Sequence, residues 1–381
     1  MLNIGVVFGG RAVEHEVSVI TGIQAIENLN KNKYNIIPIF IDKDGKMWTG
    51  NCYKDFKSFK TNKFDDKKSC FFKSEYGDKN LYIDHKKMFS KTEVVPIDVV
   101  LFALHGTHGE DGALQGLFET NGICYTGPNV LSSAIGMDKV IMKDILKSYG
   151  IKICEYKSFY RNNFLNNKNK VVDDLVNEIN FPMIVKPSNL GSSIGIKVAR
   201  NNEELIEAIE VALNFDEKII VENFIENCTE MNVAIMGNYK NYEISEVEVP
   251  DAKGDMLTFE NKYVSGESKS KITGGKHVFL EDNELSTKIK NAAEKTFLAL
   301  NASGNVRVDI LLDKNNEIYV NEINTLPGSF GFYLWEESGY TFSSLLDRVI
   351  EIALEMDDEK HKTNFRFDYD LFNKTGFGSK L

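Results

Sequence analysis

The stretch Asn3–Gly10, NIGVVFGG, limits the fold more than any other part of the chain. It is a short apolar run that stops at two glycines, so it reads as a buried strand ending in a turn. The next segment, EHEVSVITGIQAIENLNK, carries Val17, Ile20, Ile23 and Ile26 at helical spacing. Two more apolar strands, NIIPIFID and DVVLFALHG, and a short helix, GALQGLFETN, follow. Strands interleaved with helices require a parallel sheet covered on its faces. The chain therefore opens with an α/β unit over residues 1–126. Between about 51 and 93 the pattern breaks into Lys- and Asp-rich pieces with scattered aromatics, which reads as an insertion of loops and hairpins.

From residue 127 the periodicity changes. NVLSSAIGMDKVIMKDILKSYG is an amphipathic helix with Gly150 as its stop. Short strands follow (KICEYKSF, PMIVKP, GIKVAR, KIIVENFI), with one helix from Glu203 to Leu213. This gives a central unit over 127–222. The last unit, 223–381, begins with the antiparallel pair MNVAIMGN and YEISEVEVP. A Gly/Ser/Lys-rich stretch, Val264–Lys276, leads to a helix over about Asn283–Leu300. The strands NVRVDILLD and EIYVNEIN and the helix FSSLLDRVIEIALEM complete it. Each of the three units is long enough to bury a core.

The bulk properties exclude several classes. A net charge of −11 argues against a nucleic-acid partner, which a basic stripe usually serves. A local group of lysines still suits an anionic nucleotide. The N-terminus lacks the basic and apolar regions of a secretory signal, and no apolar run is long enough to span a membrane. Five scattered cysteines without a C-x-x-C pair read as reduced thiols of a cytoplasmic protein rather than a zinc site.

Three motifs carry chemistry. In FPMIVKPSNLGSSIGIKV, Lys186 closes an apolar strand and a Gly/Ser loop follows. A lysine is rarely buried without a partner, and such a loop brings backbone N–H groups near an anion, so the pair points to a phosphate. Ser192 and Ser193 add hydroxyl donors. A snorkelling surface lysine is the competing reading. In VRVDILLDKNNEIYVNEIN, two strands flank the turn DKNN. Alternation puts Arg307 with Asp309, and Glu322 with Asn324. A hairpin can gather these oxygens for Mg²⁺, or it can be a solvated face with salt bridges. The following NTLPGS favours a ligand, because its glycine frees backbone N–H groups. In LHGTHGEDGALQG, His105 stands at a strand end amid glycines, where many α/β sheets bind ligands. Glu222 ends the strand KIIVE, where a carboxylate or backbone group can read a purine amino group, although Glu222 and Glu230 also suit a surface.

Taken together, GVVFGGRAVEHEVS, ALHGTHGEDGALQGLFETNGICYTG, MDK, IVKPSNLGSSIG, VENFIENCTEMNVAI, RVDILL and NEINTLPG closely resemble the D-alanine–D-alanine ligase family of the ATP-grasp superfamily. The resemblance covers nearly the whole chain and implies three α/β and α+β domains: a Rossmann-like parallel sheet and two lobes that clamp ATP. It implies ATP contacts from Lys139, Lys186, Glu222 and Glu230, adenine contacts from Phe224 and Ile225, and a phosphate-covering loop at Ser193. Asp309, Glu322 and Asn324 fall on the family's ligands for two Mg²⁺ ions, with Mn²⁺ as the substitute. Glu14 falls on the acid that holds the ammonium of the first D-alanine, with Ser192 and Tyr263 as its hydrogen-bond partners. Arg307 and the Gly328 N–H fall on the groups that stabilise oxyanions. The stretch Val264–Lys276 is the candidate lid over an acyl phosphate.

The resemblance further implies a cytoplasmic homodimer that makes D-alanyl-D-alanine for peptidoglycan. One position departs from the family pattern. Tyr333 stands where a serine is expected to join Lys262 on the carboxylate of the second substrate. The alternative is a ligase with another acceptor: D-serine, D-lactate or a bulkier amino acid. Tyr263 favours an amino acid over D-lactate. A nucleotide-binding regulator without turnover has no reason to keep every charge of Lys186, Arg307, Asp309, Glu322 and Asn324. A nicotinamide dehydrogenase would need G-x-G-x-x-G where the chain reads FGGRAVE.

Overall fold

The computed structural model describes residues 1–84, 91–250 and 277–365. The first sheet runs in the order β6-β5-β4-β3-β2-β1-β7-β8. Its strands are β1 (Leu2–Gly9), β2 (Tyr34–Ile41), β3 (Met47–Thr49), β4 (Lys68–Phe72), β5 (Asn80–Ile83), β6 (Glu93–Pro96), β7 (Val99–Phe102) and β8 (Cys124–Tyr125). The pairs β1–β2, β1–β7 and β7–β8 are parallel, as the alternation of strands and helices requires. β1 is apolar on both faces because both are covered: Ile4, Val6, Val7 and Phe8 have no exposed surface. The helix His15–Asn28 reaches β1 closely at Gly22, where a Cβ would stand 2.4 Å from the Phe8 ring. The irregular stretch after residue 50 supplies β4 to β6, which extend this sheet antiparallel.

The second sheet is antiparallel, in the order β11-β10-β12-β9. It comprises β9 (Tyr156–Tyr160), β10 (Met183–Pro187), β11 (Lys197–Ala199) and β12 (Lys218–Asn223). Two helices pack on it, Arg161–Glu178 and Asn202–Ala212, through Phe164, Val172, Leu175, Leu205 and Ile209. The sequence announces only the second. The first is rich in asparagine, which favours turns, and it breaks from helical geometry at Asn167. Its buried apolar residues outweigh that poor propensity.

The third sheet is antiparallel, in the order β16-β15-β13-β17-β18, with β14 also on β13. Its strands are β13 (Thr229–Gly237), β14 (Tyr242–Ile244), β15 (Glu248–Val249), β16 (Val278–Phe279), β17 (Gly304–Leu312) and β18 (Ile318–Asn324). The long amphipathic segment after residue 127 is two helices, Val130–Met137 and Lys139–Ser148, with Asp138 capping the second. Met142 and Leu146 enter the core of the third sheet beside Val233, Val306 and Phe297. This pair therefore packs with the third sheet, although its place in sequence groups it with the second. The helix Phe342–His361 shares a core with the first sheet through Leu345, Leu346 and Val349. Among the described residues, no helix is long and apolar enough to cross a membrane.

Candidate active site

A cleft of about 860 Å³, counted to its mouth, lies between the second and third sheets. That is the size of a nucleotide-class pocket. β10 delivers Lys186 to its wall, and β12, the antiparallel neighbour, delivers Glu222 on the same face. Lys186 Nζ donates to Glu222 Oε2 at 3.0 Å and to Asn321 Oδ1 at 3.2 Å. Burial would lower the Lys186 ammonium, but Glu222 and Glu322 outweigh it and raise it above its ordinary value. Burial would raise the Glu222 carboxyl, but Lys143 and Lys186 hold it below its ordinary range. Lys139 Nζ reaches the Leu190 carbonyl at 3.0 Å and Glu322 Oε2 at 3.1 Å. The same cleft takes in Ser193, Phe224, Ile225 and Glu230. The carboxylate of Glu222 is thus paired with lysines.

The opposite wall is the β17–β18 hairpin. Arg307 pairs with Asn324 and Asp309 with Glu322 across the strands, which places the four polar side chains on one face. Arg307 grips Asp309 with two hydrogen bonds, Nε to Oδ1 at 2.6 Å and Nη2 to Oδ2 at 2.8 Å. Asn324 Nδ2 donates to Asp309 Oδ2 at 3.0 Å. A β-bulge after Asp309 leaves Asn321 without a cross-strand partner and turns it into the cleft beside Glu322. Two carboxylates and an amide, all hard oxygen donors at the mouth of a phosphate-sized cleft, fit a divalent cation of the Mg²⁺ or Mn²⁺ kind. Among the described residues, no group of three His, Cys, Asp or Glu side chains is arranged to hold a metal ion.

At the far end of the cleft lies Glu14, the residue before the helix His15–Asn28; it is 3% exposed. Ser192 Oγ donates to Glu14 Oε1 at 2.9 Å, while Oε2 has no hydrogen-bond partner. Burial is the main reason its carboxyl is raised above the ordinary range, opposed by Ser192 and Lys139. Gly106 and Gly191 stand against the two carboxylate oxygens. His105 is buried beside them. A carbonyl can only accept, so Nδ1 carries the proton that Leu326 O receives at 2.9 Å. Nε2 then accepts from the Thr21 hydroxyl at 2.8 Å. Burial lowers His105 to about 4, so the ring is neutral near pH 7. Glu110 accepts from the N–H groups of Gly106, at 2.6 Å, and Leu326, at 3.0 Å. Burial and the charge of Glu14 raise Glu110 to about 8.

Gly328 opens a tight turn in which Ser329 and Phe330 adopt left-handed φ of 48° and 58°. Ser329 N–H is held by Thr21, its hydroxyl donates to Gln24, and Asn305 Nδ2 donates to Phe330 O. The turn leads into Tyr333, whose ring stacks on His277 at 4.5 Å and 10°. His277 in turn meets Glu248 at 2.7 Å. Burial pushes the Tyr333 hydroxyl far above its ordinary value, and that hydroxyl meets Arg307. Lys262, Tyr263 and the stretch Val264–Lys276 lie outside the described residues.

The structure therefore brings Glu14, His105, Lys139, Lys186, Ser192, Glu222, Arg307, Asp309, Glu322 and Asn324 around one cleft and its inner end. Sequence reasoning missed Lys143, Glu110 and Asn321. Lys143 stands four residues after Lys139 and so shares its helix face, which was the available signal.

A family model for the D-ala D-ala ligase N-terminus matches residues 3–128, and one for the C-terminus matches residues 145–351. The D-alanine–D-alanine ligase of Thermosipho africanus (strain TCF52B) is 42% identical over 379 residues, covering 98% of this chain and 99% of its own length. That of Thermosipho melanesiensis is 41% identical over 364 residues, covering 94% and 96%. Among solved structures, the D-alanine–D-alanine ligase of Coxiella burnetii superposes with a TM-score of 0.77 at 26% identity, covering 95% of this chain and 98% of that one. The D-Ala:D-Ser ligase VanG of Enterococcus faecalis also gives 0.77, at 28% identity, covering 92% and 99%.

Proposed function

The chain belongs to the D-alanine–D-alanine ligase family, with its ATP-grasp fold, and from that premise we propose that it joins two D-alanine molecules at the cost of ATP. One observation carries this reading: a lysine wall (Lys139, Lys186) faces an oxygen-donor hairpin (Asp309, Glu322, Asn324) across a single cleft that ends at Glu14.

A carboxylate is a poor electrophile, so the terminal phosphoryl group of ATP passes first to the carboxylate of the first D-alanine. ADP and an acyl phosphate result. The amine of the second D-alanine attacks the acyl carbon, and phosphate leaves. Lys139 and Lys186 bind the phosphates and offset the charge that builds on the transferred group. Glu14, steadied by Ser192, takes the ammonium of the first D-alanine. Arg307 and the Gly328 N–H stabilise the oxyanion of the tetrahedral step. His105 is neutral and fixes the Leu326 backbone beside them. A divalent cation on Asp309, Glu322 and Asn324 would neutralise phosphate charge. The product is the dipeptide used for peptidoglycan, made in the cytoplasm by a homodimer.

The test is ADP release by the purified protein with MgATP and single acceptors. D-alanine alone should drive ADP formation in step with dipeptide. EDTA should abolish it, and Mg²⁺ or Mn²⁺ should restore it. No stimulation by D-alanine alone, with D-serine or another acceptor required, would reject the assignment of the second substrate.

A further inference from the structure

Lys143 has no exposed surface, and its Nζ makes no hydrogen bond. The facing anion is Glu222, whose Oε1 stands 3.5 Å away and is also without a hydrogen bond. The other oxygen of Glu222 is taken by Lys186. One buried carboxylate therefore lies between two lysines of unequal access. Lys186 lines the cleft, and Lys143 stands behind it. The neighbouring buried positions of the helix include Val140, Met142 and Leu146, so an apolar side chain would be the ordinary occupant of position 143. A buried ammonium there is costly unless it serves a charge.

That charge becomes exposed to loss during the reaction. With the cleft free of nucleotide, Lys186 balances Glu222. A triphosphate competes for Lys186, and Glu222 would then be a buried carboxylate without a partner, a costly state. The remaining charged neighbour of Glu222, Lys139, is engaged by Glu322. Burial raises the Cys154 thiol nearby, so it adds no charge. Lys143, at 3.5 Å, is close enough to tighten onto Glu222.

We propose that Lys143 is a positioning residue, a counter-charge behind the cleft that keeps Glu222 paired when Lys186 turns to the phosphates of the nucleotide. This rests on the nucleotide reading of the cleft. Lys143 touches neither phosphate nor base and acts only through Glu222.

Calorimetric titration of MgATP into five proteins tests it: wild type, Lys143→Arg, Lys143→Met, Glu222→Gln and the double variant Lys143→Met/Glu222→Gln. Lys143→Met should weaken MgATP by about tenfold or more and leave the KM for D-alanine within about twofold. Lys143→Arg should return to within about threefold of wild type. With Glu222 already neutral, removing Lys143 has nothing left to unpair, so the double variant should bind no more weakly than Glu222→Gln. A merely structural lysine would lower melting temperatures without this dependence on Glu222. Wild-type affinity in Lys143→Met, or a double variant about tenfold weaker than Glu222→Gln, overturns the proposal. If Lys143→Met does not fold, the comparison between the double variant and Glu222→Gln decides alone. Failure of the wild type to bind MgATP would instead overturn the nucleotide reading itself.

Discussion

Replacing Gly106 by alanine isolates the role of Glu14 without touching its charge. Gly106 has φ +70°, and a Cβ placed on it would lie 1.9 Å from Glu14 Oε2 and 2.9 Å from Cδ. Ser192 holds the other oxygen at 2.9 Å, so the carboxylate gives up that bond if it retreats. The left-handed backbone alone should cost about 1–2 kcal/mol of stability. Gly45→Ala is the control: φ is +82° and nothing lies within 4 Å of its Cβ, so it carries the backbone cost without the collision. Both variants should therefore melt lower, Gly106→Ala by more because it adds the collision. Only Gly106→Ala should displace the ammonium acceptor. A hydrogen bond to a charged group is worth about 1.5–3 kcal/mol, so the KM for the first D-alanine should rise roughly 10- to 150-fold. The KM for MgATP should stay within about twofold. The assay is ADP-release kinetics with each substrate varied in turn. An unchanged D-alanine KM alongside the lower melting temperature would refute the ammonium role of Glu14.

Two further outcomes are expected. Tyr333→Ser removes the ring stacked on His277 and should shift the KM for the second D-alanine by about fivefold or more, with MgATP unaffected. Equal shifts in both would count against an acceptor role for Tyr333. His105 and Glu110 give opposed pH dependences. Folded His105, at about 4, refuses a proton that the unfolded side chain takes near pH 6.5, so its contribution is lost as pH falls from about 6.5 to about 4. Folded Glu110, at about 8, keeps a proton that the unfolded side chain releases near 4.5, so its contribution is lost as pH rises from about 4.5 to about 8. Between about 4.5 and 6.5 the two slopes cancel. His105→Gln should unmask the second, so that its unfolding free energy from denaturant titration rises on acidification relative to wild type by about 1.4 kcal/mol per pH unit. Parallel curves for variant and wild type over that range would show that His105 is not held neutral.

The alternation of VRVDILL and YVNEIN was enough to put Arg307 with Asp309 and Glu322 with Asn324, but that the two pairs share a face depends on a register that only the structure supplies. The alternation was not enough to find Asn321, since a bulge inserts one residue and breaks the period at that point. Lys186 was legible because a lysine closing an apolar strand is unusual. Lys143 was not, because a lysine on an amphipathic helix usually faces water, and nothing local reports that Glu222 waits beneath it. The helix Arg161–Glu178 was hidden for a related reason. RNNFLNNKNK has the composition of a loop, and only contacts from elsewhere in the chain make it helical. Periodicity found the helices between residues 127 and 150 but could not say which sheet they cover.

The contacts that assemble the site join all three sheets. The first and third share an apolar core, and the turn carrying Gly328 is bound to the first unit as well. Both the carbonyl and the N–H of Leu326 are bound by the first unit, through His105 and Glu110, and Ser329 N–H is bound by Thr21. That ties the turn carrying Gly328 to the unit carrying Glu14, so the proposed oxyanion donor and the proposed ammonium acceptor are linked through these contacts. The second sheet meets the other two at the cleft through Ser192 to Glu14, Lys186 to Asn321, and Lys218 and Ser188 to the helix-capping Asp138, together with a backbone bond from Lys139 N–H to Ser188 O at 3.1 Å. Of these, Ser192, Glu14 and Lys186 are the groups assigned to substrates. On the nucleotide reading of the cleft, Lys186 gives up its partners to a triphosphate while the bonds to Leu326 and Ser329 stay in place, and a buried carboxylate between two lysines is the form in which such an exchange leaves no charge stranded.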